Sequence, residues 1–160
     1  MDLQWLLFSF NGRINRAKYW LVVLINIIVP NVAGIFAAMA FGLSGFDPST
    51  EASPDLASPG LWIAGLIGVA IFVFSLWTSL AAAVKRLHDR EKSGWWVLLF
   101  WILPTIVIGG SALASDMVGV VIALVGLAIL IWGFVEIACL RGTTGPNAYG
   151  PDPIPAAAAA

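Results

Sequence analysis

Four uninterrupted apolar runs constrain this chain more than any other feature. They cover about residues 19–43, 61–84, 95–114 and 117–140, and Glu136 is the one charged residue within them. A helix needs roughly 20 apolar residues to cross the hydrocarbon core of a bilayer. The runs are continuously apolar and do not alternate, which argues against membrane strands. The expected fold is all-α: an integral membrane protein with four transmembrane helices arranged as two helical hairpins. Composition supports this, because only 11% of the 160 residues are charged, whereas a soluble domain carries about a quarter. A rival reading makes the first run a secretory signal cleaved near Ala38–Ala40. That run is longer than the apolar core of a signal peptide, so a retained span is expected.

The connections between the runs differ in kind. "SGFDPSTEASPDLASPG" is rich in Pro, Ser and Gly and reads as a solvent-exposed loop. Ser115 and Asp116 make a tight turn, and "KRLHDREKSG" is a short basic island. All eight Lys and Arg residues fall in the N-terminal segment, this island or the C-terminal tail. These share one side of a four-span topology, so the positive-inside rule places both termini and the island in the cytoplasm. A single domain over residues 1–153 is expected, followed by a disordered alanine-rich tail at 154–160. Residues 2–10 are apolar but too short to span. Trp5, Leu6, Phe8 and Phe10 suit a short interfacial helix lying flat at the inner surface. Asn15 is a candidate N-cap for the first span.

Within the spans, small residues recur at helical spacing: Gly34, Ala38 and Gly42; Gly60, Ala64 and Gly68; Gly119, Gly126 and Gly133. Such stripes let helix backbones approach closely in lipid. Pro30 and Pro104 each remove a backbone donor and should kink their helices. The polar residues inside the apolar runs include Asn26, Ser75, Thr78 and Glu136. They could line a path, or bond between helices as ordinary glue. Glu136 invites a partner from the island, Lys85 or Arg86.

Several function classes are excluded or weakened. A net charge of −1 offers no field for nucleic acid. One cysteine, Cys139, and one histidine, His88, cannot form a four-ligand zinc site, and no cofactor is implied. His88 and Asp89 are adjacent on a helix and so point about 100° apart. No third catalytic member is apparent, and no catalytic residue is assigned. The leading expectation is a non-enzymatic protein whose cytoplasmic polar cluster binds anionic lipid headgroups or a partner protein. The candidate ligands are Arg13, Arg16, Arg86, His88, Asp89, Arg90 and Tyr149. The alternative is a small transporter or channel subunit; four spans are few for a pore, so it would have to form a homo-oligomer. A membrane-embedded lipid-modifying enzyme centred on His88, Asp89 and Glu136 is the third.

Three motifs, "FNGRINRAKYW", "VKRLHDREKSGWW" and "GTTGPNAYGPDP", occur in this order. Together they resemble the bacterial inner-membrane family catalogued as domain of unknown function 805, over about Phe10 to Pro153. The resemblance implies a helical protein of the bacterial inner membrane and carries no activity, substrate or catalytic residue. Its motifs map here to Gly12, Arg13, Arg16, Tyr19 and Trp20, to Arg86–Asp89 and Ser93–Trp96, and to Gly142, Gly145, Asn147 and Tyr149–Asp152. Nearly all lie on the expected cytoplasmic side. Topology alone would ask there only for Lys or Arg.

Overall fold

The computed structural model describes residues 2–40, 59–114 and 116–154. The acidic loop, Ser115 of the tight turn, Gly42 and the alanine tail from residue 155 lie outside the described residues. The described residues contain helices and no named strand. They are α1 (Leu3–Phe8), α2 (Arg16–Ala40), α3 (Pro59–Asp89), α4 (Leu103–Gly110) and α5 (Asp116–Phe134). A π-helical turn, Leu98–Ile102, leads into α4, a 3-10 turn, Ser111–Leu113, follows it, and a second π turn, Val135–Cys139, ends α5.

Among the described residues, three helical stretches are long and apolar enough to cross a membrane: Arg16–Ala40, Pro59–Asp89 and Asp116–Cys139. The expected third span, 95–114, corresponds to a shorter apolar helical stretch, Leu98–Leu113. Its irregular turns have a local cause. Pro104 stands where the π turn runs on into α4, so its missing N–H leaves a carbonyl of the preceding turn without its helical donor. The backbone widens into the π turn just before it.

α2 packs along α3, and α4 packs along α5. The stripe of Gly119, Gly126 and Gly133 is the buried face of α5. A Cβ added at these positions would stand 2.7 Å from the Ser111 carbonyl oxygen, Ile108 Cγ1 and Phe100 Cβ respectively. This close approach is what the sevenfold spacing predicts. The other two stripes behave differently: a Cβ at Gly34 or Gly68 would meet nothing within 4 Å. Small residues there create no tight helix contact among the described residues.

Helix α1 forms where expected, capped by Asp2, whose carboxylate accepts the Trp5 N–H at 3.2 Å. It does not stand apart on the surface. Leu6 is fully buried with Ile14, Val22 and Ala82. Lys85 donates to the Trp5 and Leu6 carbonyls at 2.9 and 2.6 Å. Further along, Phe8 meets Phe74 edge-on at 5.9 Å and Phe10 meets Trp77 at 5.2 Å. From Lys85 to Phe74 is about 16 Å of helix rise, so the segment runs along α3. Asn15 caps α2 as expected, accepting the Lys18 N–H at 3.0 Å.

Both buried apolar clusters lie near the charged end of the helices. One gathers Ala83, Leu87, Val97, Phe100 and Ile137, the other Leu6, Ile14, Val22 and Ala82. Away from that end, large apolar side chains such as Phe36, Leu66, Phe72 and Leu124 are exposed. Outward-facing apolar side chains suit a lipid surround, which solvates them at no hydrophobic cost.

Candidate functional site

The last turn of α3 continues past the apolar run and carries Lys85, Arg86, His88 and Asp89. Lys85 and Arg86 are fully buried, and Asp89, Arg13 and Glu136 nearly so. A buried charge is costly unless it is paired and hydrogen-bonded. The fold meets that requirement by gathering three distant segments around Asp89. Arg13 donates to Asp89 Oδ1 through Nε at 3.1 Å and Nη2 at 3.0 Å. Arg86 donates to Asp89 Oδ2 from the opposite side.

The remaining guanidinium donors go to backbone carbonyls. Arg13 donates to Thr143 O at 2.6 Å, Gly145 O at 2.7 Å and Gly150 O at 3.2 Å. Arg86 donates to Ile137 O at 2.9 Å and to Leu140 O. Arg16 reaches Cys139 O at 3.0 Å. The two residues therefore satisfy carbonyls at the end of the last helix, where the partial negative charge of the helix dipole collects.

The tail is folded onto this hub. Thr143 N–H donates to Asp89 O at 2.8 Å, and the Asn147 amide donates to His88 O at 2.9 Å. Asn147 and Gly150 exchange backbone bonds at 3.0 and 3.1 Å. Asp152 closes the loop, accepting the Gly145 N–H at 2.8 Å and the Ile154 N–H at 2.9 Å. The N–H groups of Ile154 and Gly145 hold its carboxyl below the usual range. Gly142 lies against the hub: a Cβ there would stand 1.9 Å from Asp89 Oδ2. No other residue fits without displacing the carboxylate.

His88 stacks flat on Tyr149, with ring centroids 3.9 Å apart and planes 4° from parallel. Its Nδ1 lies 3.3 Å from Gly12 O. Burial pushes the imidazole below its ordinary pKa, and the Gly12 carbonyl partly offsets this. His88 and Asp89 do not engage each other, as the 100° separation requires. Each binds its own neighbours, and no acid–base couple forms between them.

Glu136 corrects one expectation. Its partners are Arg90, at 3.0 Å, and Lys92, at 3.5 Å; Lys85 and Arg86 are engaged elsewhere. The reason is the end of α3. Glu91 adopts a left-handed φ of 60°, and Lys92 N–H bonds back to Leu87 O at 2.9 Å. This reversal, a common helix-ending arrangement, carries Arg90 and Lys92 towards Glu136. Lys92 also lies over the Trp96 ring at 4.5 Å.

The intramembrane polar residues are divided between two places. Asn26 accepts the Thr78 hydroxyl at 2.9 Å, joining α2 to α3. Asn31 donates to Ile27 O of its own helix. Ser75 Oγ is buried without a hydrogen-bond partner among the described residues. Glu136 belongs to the charged end.

Of the seven candidate ligand residues, Arg13, Arg86, His88, Asp89 and Tyr149 converge in one network. Arg16 and Arg90 lie at its edge. A small groove of about 30 Å³ beside the hub is lined by Arg16 and Arg141, by the acids Asp89 and Asp152, and by Asn15 and Thr144, among others. Arg141 is not among the seven candidate ligands, and its place in this groove depends on the folded tail. Among the described residues, no group of three or more His, Cys, Asp or Glu could hold a metal ion.

These features define an all-helical protein with three helices of membrane-spanning character, closed at one end by an interlocked polar platform. The chain belongs to the family described as proteins of unknown function (DUF805), which it matches over residues 7–151. It is 29% identical over 148 residues to the inner membrane protein YhaH of Escherichia coli K12, covering 91% of this chain and 87% of that one. It is 28% identical over 145 residues to inner membrane protein YhaI of the same strain, covering 91% and 86%. The uncharacterized protein YiiR of that strain is 27% identical over 168 residues, covering 95% and 90%. No solved structure matches the chain. Apart from Asp152 and Pro153 the three sequence motifs fall within the family match, and they supply Arg13, Arg86, Asp89, Gly142, Thr143 and Gly145, which meet at the hub.

Proposed function

We propose that this chain is a multi-pass inner-membrane protein without catalytic activity, whose platform binds anionic lipid headgroups from the cytoplasmic side. In this reading the chain crosses four times as two hairpins, with the Leu98–Leu113 stretch and its flanking residues as the short third span. The one-sided placement of all eight Lys and Arg residues supports that orientation, and the names of the relatives support the inner-membrane location alone.

One observation carries the headgroup reading: the cations of the platform divide into two classes. Arg13, Lys85 and Arg86 are buried and fully engaged with internal acceptors. Arg16 and Arg141 are exposed and flank the same open groove. Two guanidinium groups at a membrane surface suit a phosphate, which they can grip by paired hydrogen bonds. At about 30 Å³ the groove admits a phosphate oxygen, with the rest of a headgroup lying outside it. The buried residues are then the frame that fixes Arg16 and Arg141, and the frame accounts for motifs that charge placement alone does not require.

Native mass spectrometry of the protein extracted with its own lipids tests this, with wild type beside the Arg16→Ala/Arg141→Ala double variant. Retained anionic lipid should fall several-fold in the double variant while folding is unchanged. Equal retention in both proteins would refute the reading and leave the platform to partner proteins or to topology.

A further inference from the structure

A second cavity, of about 90 Å³, lies deeper than the platform, where α2, α3 and the first π turn meet. Its lining residues are Tyr19, Asn26, Ser79 and Trp101, which carry polar groups, and Val22, Val23 and Ala82, which are apolar. Asn26 is engaged, since it accepts from Thr78 and donates to Val22 O. The Tyr19 hydroxyl, the Ser79 hydroxyl and the Trp101 indole N–H make no hydrogen bond among the described residues. All three can donate, and the indole can only donate. No Lys, Arg, Asp, Glu or His lines the cavity.

The matching ligand group is therefore an uncharged acceptor. A charged group at this depth would carry a large desolvation cost with no charged side chain in the cavity lining to meet it. Depth narrows the choice further. Tyr19 is three residues along α2 from Arg16, about 5 Å, and Ser79 is seven residues along α3 from Arg86, about 10 Å. Lipid ester groups occupy this layer, just inside the headgroup phosphates. The cavity is large enough for such a group, being several times the volume that one water requires.

We propose that this cavity binds an ester carbonyl of a glycerolipid, held by the Tyr19 hydroxyl, the Ser79 hydroxyl and the Trp101 indole N–H. The inference rests on the proposed membrane placement for the depth of the cavity, but it uses different residues and a different part of the lipid from the headgroup reading.

The test compares two phosphatidylglycerols with identical headgroups and chain lengths, one ester-linked and one ether-linked. The ether form lacks the carbonyl acceptors. Retention by the full chain is read by native mass spectrometry for wild type, Tyr19→Phe and Trp101→Phe. Wild type should favour the ester lipid by about two- to tenfold, the worth of one net hydrogen bond. The preference should shrink in each variant, and both variants keep an aromatic ring that fills the space. Equal retention of the two lipids by wild type would overturn the proposal and assign the cavity to water. So would an ester preference that survives in both variants. The Arg16→Ala/Arg141→Ala protein separates the two readings: its total lipid retention should fall while its ester preference persists.

Discussion

The two ends of this molecule follow opposite rules. At the platform end, Arg13, Arg86 and Asp89 are buried, and the loops are held by hydrogen bonds at named atoms. Toward the other end, α2 and α3 present exposed apolar side chains, and Gly34 and Gly68 meet no neighbour within 4 Å. Apolar helices tolerate many sequences so long as lipid solvates them. A buried charge network tolerates few, because every donor and acceptor must find its partner. The motifs that identify the family are accordingly concentrated at the platform.

The sharpest way to break this comparison is to remove the hub. Asp89→Ala leaves Arg13 and Arg86 buried without their anion and should destabilise the protein by about 3–5 kcal/mol. Gly142→Ala should act in the same direction, since its methyl group collides with the same carboxylate. Thermal or denaturant unfolding in detergent measures both. A loss below 1 kcal/mol for Asp89→Ala would show that the network is not the frame described here.

Glycine substitutions sharpen the comparison at intermediate scale. Gly133→Ala drives a methyl group into Phe100 and should cost about 1–3 kcal/mol. Gly34→Ala meets open space and should be neutral, or stabilising by up to about 1 kcal/mol through better helix propensity. Unfolding of the two variants side by side checks the contrast, and equal effects would contradict it.

A smaller effect is expected from pH. His88 has a folded pKa below its ordinary 6.5, chiefly because it is buried. The unfolded chain therefore binds the proton first, and its stabilising contribution is lost as pH falls from 6.5 through the lower folded value. Stability should decline over that window in wild type, and the decline should be shallower in His88→Phe, which keeps a ring against Tyr149 but cannot titrate. Parallel slopes would exclude His88 as the source. The smallest effect concerns Glu91, whose left-handed backbone favours glycine. Glu91→Gly should stabilise by about 0.5–1 kcal/mol, as relief of strain outweighs added chain entropy. Unchanged or reduced stability in unfolding assays would refute that.

Much of this architecture was legible in the sequence, for physical reasons. Continuous apolar runs and one-sided cations are one-dimensional signals. So were the Asn15 cap and the Gly119, Gly126 and Gly133 stripe, because helical periodicity fixes both. The partner of Glu136 was not legible. It depends on the left-handed turn at Glu91, a residue type that does not advertise that conformation. Nor was the burial of Arg13 and Arg86: the same residues that read as free phosphate ligands are engaged once the tail folds over them. Gly34 and Gly68 show the converse, since periodicity marks a face without saying what packs on it. The path of α1 along α3 was hidden because a six-residue helix with five apolar side chains suits a lipid surface and a helix groove equally.

The central claim is that Asp89 holds the N-terminal segment, the end of α3 and the tail together as one unit. Amide hydrogen exchange on wild type and Asp89→Asn tests it most directly. The variant is expected to lose protection at Thr143, Asn147 and Gly150 together, while amides in the middle of α3 and α5 stay protected. Tail amides as protected in the variant as in wild type would contradict the claim.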